Sequence, residues 1–283
     1  MNTSGSTPAA FRRPSDWTKH LFILLLLGIE LLPLYMMVQV SLKDNAAFIR
    51  NPWLPSSPAD WQWENWVHAA RLVLPYVSNS LFVAVTGTML TLALALAGAY
   101  FFARSRLPFS RLLWAAFMVL MMLPGIANIV PLFSLLKEMS LLNTLYALVL
   151  VGVAGGQAFN LFVLRGFIED LPRDLFEAAE IDGAGHFQQL VHVVVPMSAS
   201  ILGTLAILAF LNKWNEFLLP LIILRDRELF TIGVGLIYLD GEYVKQWGQI
   251  MAAYLFAALP LLILFAFTMR LFVRGLSQGA IKG

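Results

Sequence analysis

The chain contains no cysteine, which excludes disulfides and thiolate metal sites. It is also poor in charge. Only 13% of its 283 residues are Asp, Glu, Lys or Arg, about half the ~25% usual in a soluble domain. The deficit runs along the whole length and does not suit a water-exposed surface. Lipid explains it, because a surface facing a bilayer must be apolar. The net charge of +2 is too small to argue for nucleic acid as a partner. A GxxxxGK[ST] phosphate loop is absent: Gly233 and Gly235 are too sparse, and no Lys-Ser or Lys-Thr follows them. His20, His68, His186 and His192 lack metal-ligand spacing and read as structural or surface residues. No catalytic Ser, Asp or Glu constellation stands out, so the chain is expected to bind no cofactor or metal.

What is present is apolar sequence, 59% of the chain. A spanning helix needs about 20 mostly apolar residues. Six segments qualify: Leu21–Val40, Val77–Ala103, Leu112–Leu136, Thr144–Leu164, Ile201–Leu224 and Ile250–Phe272. The third is interrupted by Pro124, Gly125 and Pro131. The fold class is therefore an all-α integral membrane protein of six transmembrane helices, covering residues 21–274. Residues 1–20 form a polar N-terminal tail, rich before Trp17 in Ser, Thr, Pro and Gly. The apolar run behind it reads as an uncleaved first span, since no small-residue cleavage pattern follows.

Lys and Arg in short connections set the orientation. The tightest cluster, Arg104, Arg106 and Arg111, places the connection between spans two and three in the cytoplasm. An even number of spans then places both termini there, in agreement with Arg12, Arg13, Lys19, Arg270, Arg274 and Lys282. Arg225 and Arg227 fall outside and run against the bias. The first outer connection, residues 41–76, carries Trp53, Trp61, Trp63 and Trp66, rings that favour the membrane–water interface.

One inner connection is unusually long, residues 165–196, and long loops in compact proteins tend to be functional. Pro172 suits the first turn of a helix and Asp174 complements its dipole. Leu175, Ala178, Ala179 and Asp182 then share a face, and Gly183 stops the helix. A second helical stretch, about Phe187–Val195, ends at Pro196. The expected product is a helix–turn–helix on the cytoplasmic side, with a small-residue ridge edged by Glu177, Glu180 and Asp182. On physics alone it could equally be a solvated connector.

The spacing of this segment settles more than its physics does. Glu177-Ala178-Ala179, three residues, Gly183, nine residues, then Val193-x-Val195-Pro196 resembles the EAA signature of binding-protein-dependent ABC importer permeases. The family has Ile and Leu where this chain has Val193 and Val195, while the spacing is kept. Trp214-Asn215-Glu216-Phe217 resembles the WNEF element of the sugar permeases. Pro131-Leu132-Phe133 with Leu142-Asn143-Thr144 is similar to their third-to-fourth span region. The end of the chain, Gly275-Leu276-Ser277-Gln278-Gly279-Ala280-Ile281-Lys282-Gly283, resembles the tail of the maltose-type G subunits, in the carbohydrate branch.

The resemblance implies the transmembrane domain of an ABC type I importer, with residues 275–283 as a cytoplasmic tail. It implies four partners: a second homologous permease subunit, an ABC ATPase dimer that uses ATP and Mg2+, an extracytoplasmic solute-binding protein and a carbohydrate. Membrane lipid would surround the assembly. The helix through Glu177, Ala178, Ala179, Asp182 and Gly183, with Pro196 closing the segment, would be the coupling helix that docks into the ATPase.

Polar residues at membrane depth are costly and usually face a bundle interior. Asn128 in span three and Asn212, Trp214, Asn215 and Glu216 in span five are candidates for the translocation path. Lys213 and Glu216, three apart, could instead pair as helix–helix glue. Glu30 in span one could face the path or the second permease. Two other classes compete with the importer reading: a membrane-embedded enzyme, which would need acids or histidines clustered at membrane depth, and an ion-driven secondary transporter, which would usually show an internal repeat. Within the importer class, a permease for a non-sugar solute is the nearest alternative.

Overall fold

The computed structural model describes residues 15–105, 108–123, 125–240 and 245–280. Arg12, Arg13, Arg106, Pro124, Ile281, Lys282 and Gly283 lie outside them, as do the side chains of Arg270, Arg274 and residues 275–280. The described residues are helical and contain no strand. Five stretches are long and apolar enough to cross a membrane: Trp17–Ser41, Glu64–Arg104, Leu145–Glu169, Ala199–Ile223 and Trp247–Thr268.

Helix α1 runs over Ser15–Ser41 and α2, a short helix, over Asn45–Arg50. Helix α3, Glu64–Arg104, has 41 residues. At 1.5 Å per residue it is about 60 Å long, roughly twice a bilayer's hydrocarbon core. It begins well before the expected Val77. Pro75 does not stop it; Ser78 Oγ donates to the Pro75 carbonyl, 2.7 Å away, in the turn that follows. Helix α6, Leu145–Glu169, is capped by Thr144, whose Oγ1 accepts from Ala147 N–H. A short helix, α12, covers Ile232–Asp240, and the long final helix, α13, covers Trp247–Ala280, so the tail continues as helix through residue 280.

The expected third span is not one helix. It is α4, Ser110–Met122, then a 3-10 turn, Gly125–Asn128, then α5, Ile129–Glu138. Leu123 is extended (φ −76°, ψ 125°), as a residue before proline is driven to be. Neither half alone reaches the ~20 residues of a crossing.

The fifth span also breaks. Helix α10, Ala199–Trp214, ends at Asn215, and α11, Leu218–Ile223, starts after Phe217. The polar pair causes this. Asn215 Nδ2 donates to Leu211 O and Glu216 Oε1 accepts from Leu219 N–H, so side chains take the place of ladder bonds.

Helix α3 packs against α6, α10 and α13 and passes through three apolar clusters. At the Arg104 end sit Tyr100, Leu164, Ile168, Phe176, Val194 and Leu205. In the second, Val83 meets Leu148, Ile223 and Phe230. The third brings Ala69, Val73, Phe210, Trp214 and Ala252 together. Alanines at 84, 95 and 99 on α3 are fully buried, the small-residue contact that lets membrane helices approach closely. By contrast α1 touches mainly α13, and its stretch from residue 21 to 35, Glu30 included, is exposed.

Candidate functional site

The long loop is built around one aromatic anchor. Helix α7, Arg173–Ile181, inserts Phe176 into the first cluster, where it is 1% exposed. The Arg104 guanidinium lies 3.7 Å from the centroid of that ring. Ala179 is half-buried on the anchored side, while Asp174, Leu175, Glu177, Ala178, Ile181 and Asp182 are exposed. Ile181 is 87% exposed, so the free ridge carries an apolar residue as well as acids.

Gly183 ends α7 at φ +77°. Gly183 N–H donates to Glu180 O (3.0 Å) and Ala184 N–H to Ala179 O (2.8 Å), the paired bonds of a Schellman cap. Pro172 stands at the N-cap, one residue ahead of the first turn.

The return leg comprises α8, His186–Gln189, a π-helical turn over Leu190–Val194, and α9, Val195–Met197. It does not end at Pro196 as expected. The chain stays helical to Met197 and α10 begins at Ala199. The wide turn, in which Val195 N–H reaches Leu190 O, comes just before a residue that has no N–H to give. Tyr100 OH donates to Gln189 Oε1 at 2.8 Å and lies 3.0 Å from His186 Nδ1. Thus α3 holds both legs of the loop, one through Arg104 and one through Tyr100.

These anchors hold the loop in place and are residues that spacing arguments miss. A signal for one exists: Phe176 is the lone aromatic in its helix. Tyr100 and Arg104 have no such mark, because their role depends on where α3 ends in space.

A second feature is a cavity of about 730 Å3 between α3, α6, α10 and α11. Its polar lining is Ser80, Asn160, Asn212, Lys213, Glu216 and Thr231. Two of the sequence candidates, Asn212 and Glu216, line it. Trp214 does not: it is 5% exposed and stacks on Phe210 at 5.8 Å. Asn215 caps its own helix from outside the lining, and Asn128 sits at the start of α5 beside the lining residue Ile129. Glu30 on α1 does not line it.

The Lys213–Glu216 pair does not form among the described residues. Glu216 lies past the end of α10, so three-residue helical spacing is lost, and its carboxylate instead starts α11.

Residues 89–278 match the family described as binding-protein-dependent transport system inner membrane component. The chain belongs to this family. It is similar to the diacetylchitobiose uptake system permease protein DasC of Streptomyces coelicolor, 32% identical over 94% of this chain and 97% of that one. It is likewise similar to the trehalose/maltose transport system permease protein MalG of Thermococcus litoralis, 32% identical over 92% and 97%. Among solved structures, a bacterial ABC transporter involved in import of the acidic polysaccharide alginate superposes with a TM-score of 0.78 at 22% identity, covering 92% of this chain and 99% of that one. At that identity the likeness shows a shared fold. The chain is thus an inner-membrane permease component of a binding-protein-dependent system, and its relatives serve sugars.

Proposed function

We propose that this permease forms one half of the pore of an ATP-driven carbohydrate importer and receives its substrate from an extracytoplasmic binding protein. The sugar systems served by its relatives support the substrate class. The fold would cross the membrane six times, with α4 and α5 together making the broken third crossing. Both termini and the 165–196 loop would then be cytoplasmic, as the Arg104 and Arg111 side of the molecule favours.

The observation that carries this reading is the anchored loop. Its inner side is fixed to α3 by Phe176 and Tyr100, while Glu177, Ala178, Ile181 and Asp182 stand free. An anchored handle with an exposed ridge suits a surface on which a partner pushes. Docked in an ATPase cleft, Glu177 would meet a basic group in a charge-assisted contact. Closure of an ATPase dimer on ATP would move α7, and α3 would carry that movement along its length to the helices around the cavity. A second, homologous permease would complete the pore and cover the exposed face of α1, where Glu30 lies. The ATP and Mg2+ would belong to the ATPases.

The test is binding-protein-stimulated ATP hydrolysis by the reconstituted complex, with Glu177→Lys and Gly183→Pro in this chain. Hydrolysis that depends on loaded binding protein and collapses in both variants, while the complex still assembles, supports the reading. Variants that behave as the parent does would sink it.

A further inference from the structure

Lys213 is the cation in the cavity lining, and the fold gives it a slot without giving it a partner. Its stem passes between α3 and α6 against two glycines. A Cβ built on Gly87 would lie 2.7 Å from Lys213 Cε, and one on Gly152 would lie 3.3 Å from it. Any larger residue at 87 would have to displace the lysine. Two helices therefore leave room for this side chain at the place where it crosses them.

The ammonium has neither an acceptor nor an ion pair among the described residues. Glu216, the one carboxylate in the lining, is engaged at the start of α11 through Leu219 N–H. Asn160 and Thr231 line the same cavity, each with a buried side-chain oxygen that has no partner among the described residues. Ionisable and polar groups at membrane depth are costly when unsatisfied. An ammonium held in a slot and left without a partner gives the cavity a recognition point for a ligand that arrives from outside. Its volume of about 730 Å3 falls within the ~300–1,000 Å3 of small-molecule sites.

We infer that Lys213 is a specificity-determining residue for an anionic carbohydrate, one bearing a carboxylate, sulfonate or phosphate. The anion meets the ammonium, while the sugar hydroxyls face the exposed polar residues of the same lining, Asn212 and Glu216. This rests on the carbohydrate-importer reading and narrows it.

The experiment uses the whole transporter in proteoliposomes, with its partner permease, ATPases and binding protein. Uptake is measured for neutral disaccharides of glucose, galactose and mannose and for their uronate, sulfonate and phosphate counterparts. The expected result is uptake of acidic members and little of the neutral ones. Lys213→Met should lower the acid-to-neutral uptake ratio by about tenfold or more, the loss of one charge-assisted hydrogen bond. Lys213→Arg should restore most of the ratio, which a purely structural lysine fitted to the glycine slot would not allow. Preferred uptake of neutral sugars, or a ratio unchanged in Lys213→Met, overturns the inference and leaves the importer reading standing. If no sugar of either kind drives uptake while a non-sugar solute does, the carbohydrate reading itself falls, and the inference with it.

Discussion

The Arg104 guanidinium covers the Phe176 ring, with 3.7 Å from cation to centroid. The two residues belong to the end of the longest helix and to the middle of the exposed loop. This contact makes the loop an extension of α3 instead of an independent appendage. Any force applied to α7 is therefore felt by the helix that runs past all three apolar clusters.

Phe176→Ala should release α7 from its socket. Truncating a buried Phe typically costs ~3–5 kcal/mol, and the cation–π contact adds ~0.5–2 kcal/mol. The expected outcome is rapid amide exchange over residues 173–181 together with loss of stimulated ATP hydrolysis. Arg104→Ala should do the same to a smaller degree. Normal hydrolysis in Phe176→Ala would show that the loop transmits force without its anchor.

Tyr100→Phe keeps the ring and removes one hydroxyl. Gln189, only 4% exposed, would lose the donor to its Oε1. An unsatisfied buried group costs ~1–3 kcal/mol. The return leg, residues 186–194, should exchange faster while α7 stays protected by Phe176. Equal loosening of both legs would show that the two anchors are not independent.

Gly183→Ala isolates backbone strain, because nothing lies within 4 Å of the added Cβ. At φ +77° a side chain other than glycine costs ~1–2 kcal/mol, and Asn tolerates this region better than Ala. Thermal midpoints should fall in the order Gly, Asn, Ala. Equal midpoints for Asn and Ala would argue against strain as the cause.

Most of the architecture is legible in the sequence because hydropathy reports the long helices directly. α1, α6 and α13 each contain the apolar run that announces them. The breaks are harder to read. Pro124 and Gly125 advertise the one in span three, but Asn215 and Glu216 interrupt span five through side-chain bonds that hydropathy does not register. The start of α3 was hidden by His68, Arg71 and Pro75, since a helix that continues beyond the apolar run leaves no apolar trace. Gly183 was readable as a stop because its chemistry is local. Lys213 and Glu216 illustrate the reverse: three-residue spacing suggests a pair only while the helix continues, and it ends between them.

Lys43 offers a pH test in the connection between α1 and α3. It is 2% exposed, and its Nζ donates to Asn51 O (2.7 Å) and Leu54 O (2.6 Å), tying that connection together. Burial pushes its pKa below the ordinary lysine value, because desolvation disfavours the charged form. Between the lowered value and the ordinary one, the unfolded state binds more protons than the folded state, so stability rises with pH across that window. Below it the penalty is present in full and constant; above it the penalty is gone. The neutral amine still has two hydrogens for its two carbonyls, so closure of the loop does not depend on charge. The thermal midpoint of the purified complex should therefore climb as pH approaches the ordinary lysine range, and Lys43→Met should remove that climb. A slope of the same size in Lys43→Met would assign it to other groups, and a falling midpoint in the parent would mean that the two carbonyls stabilise the cation more than burial penalises it.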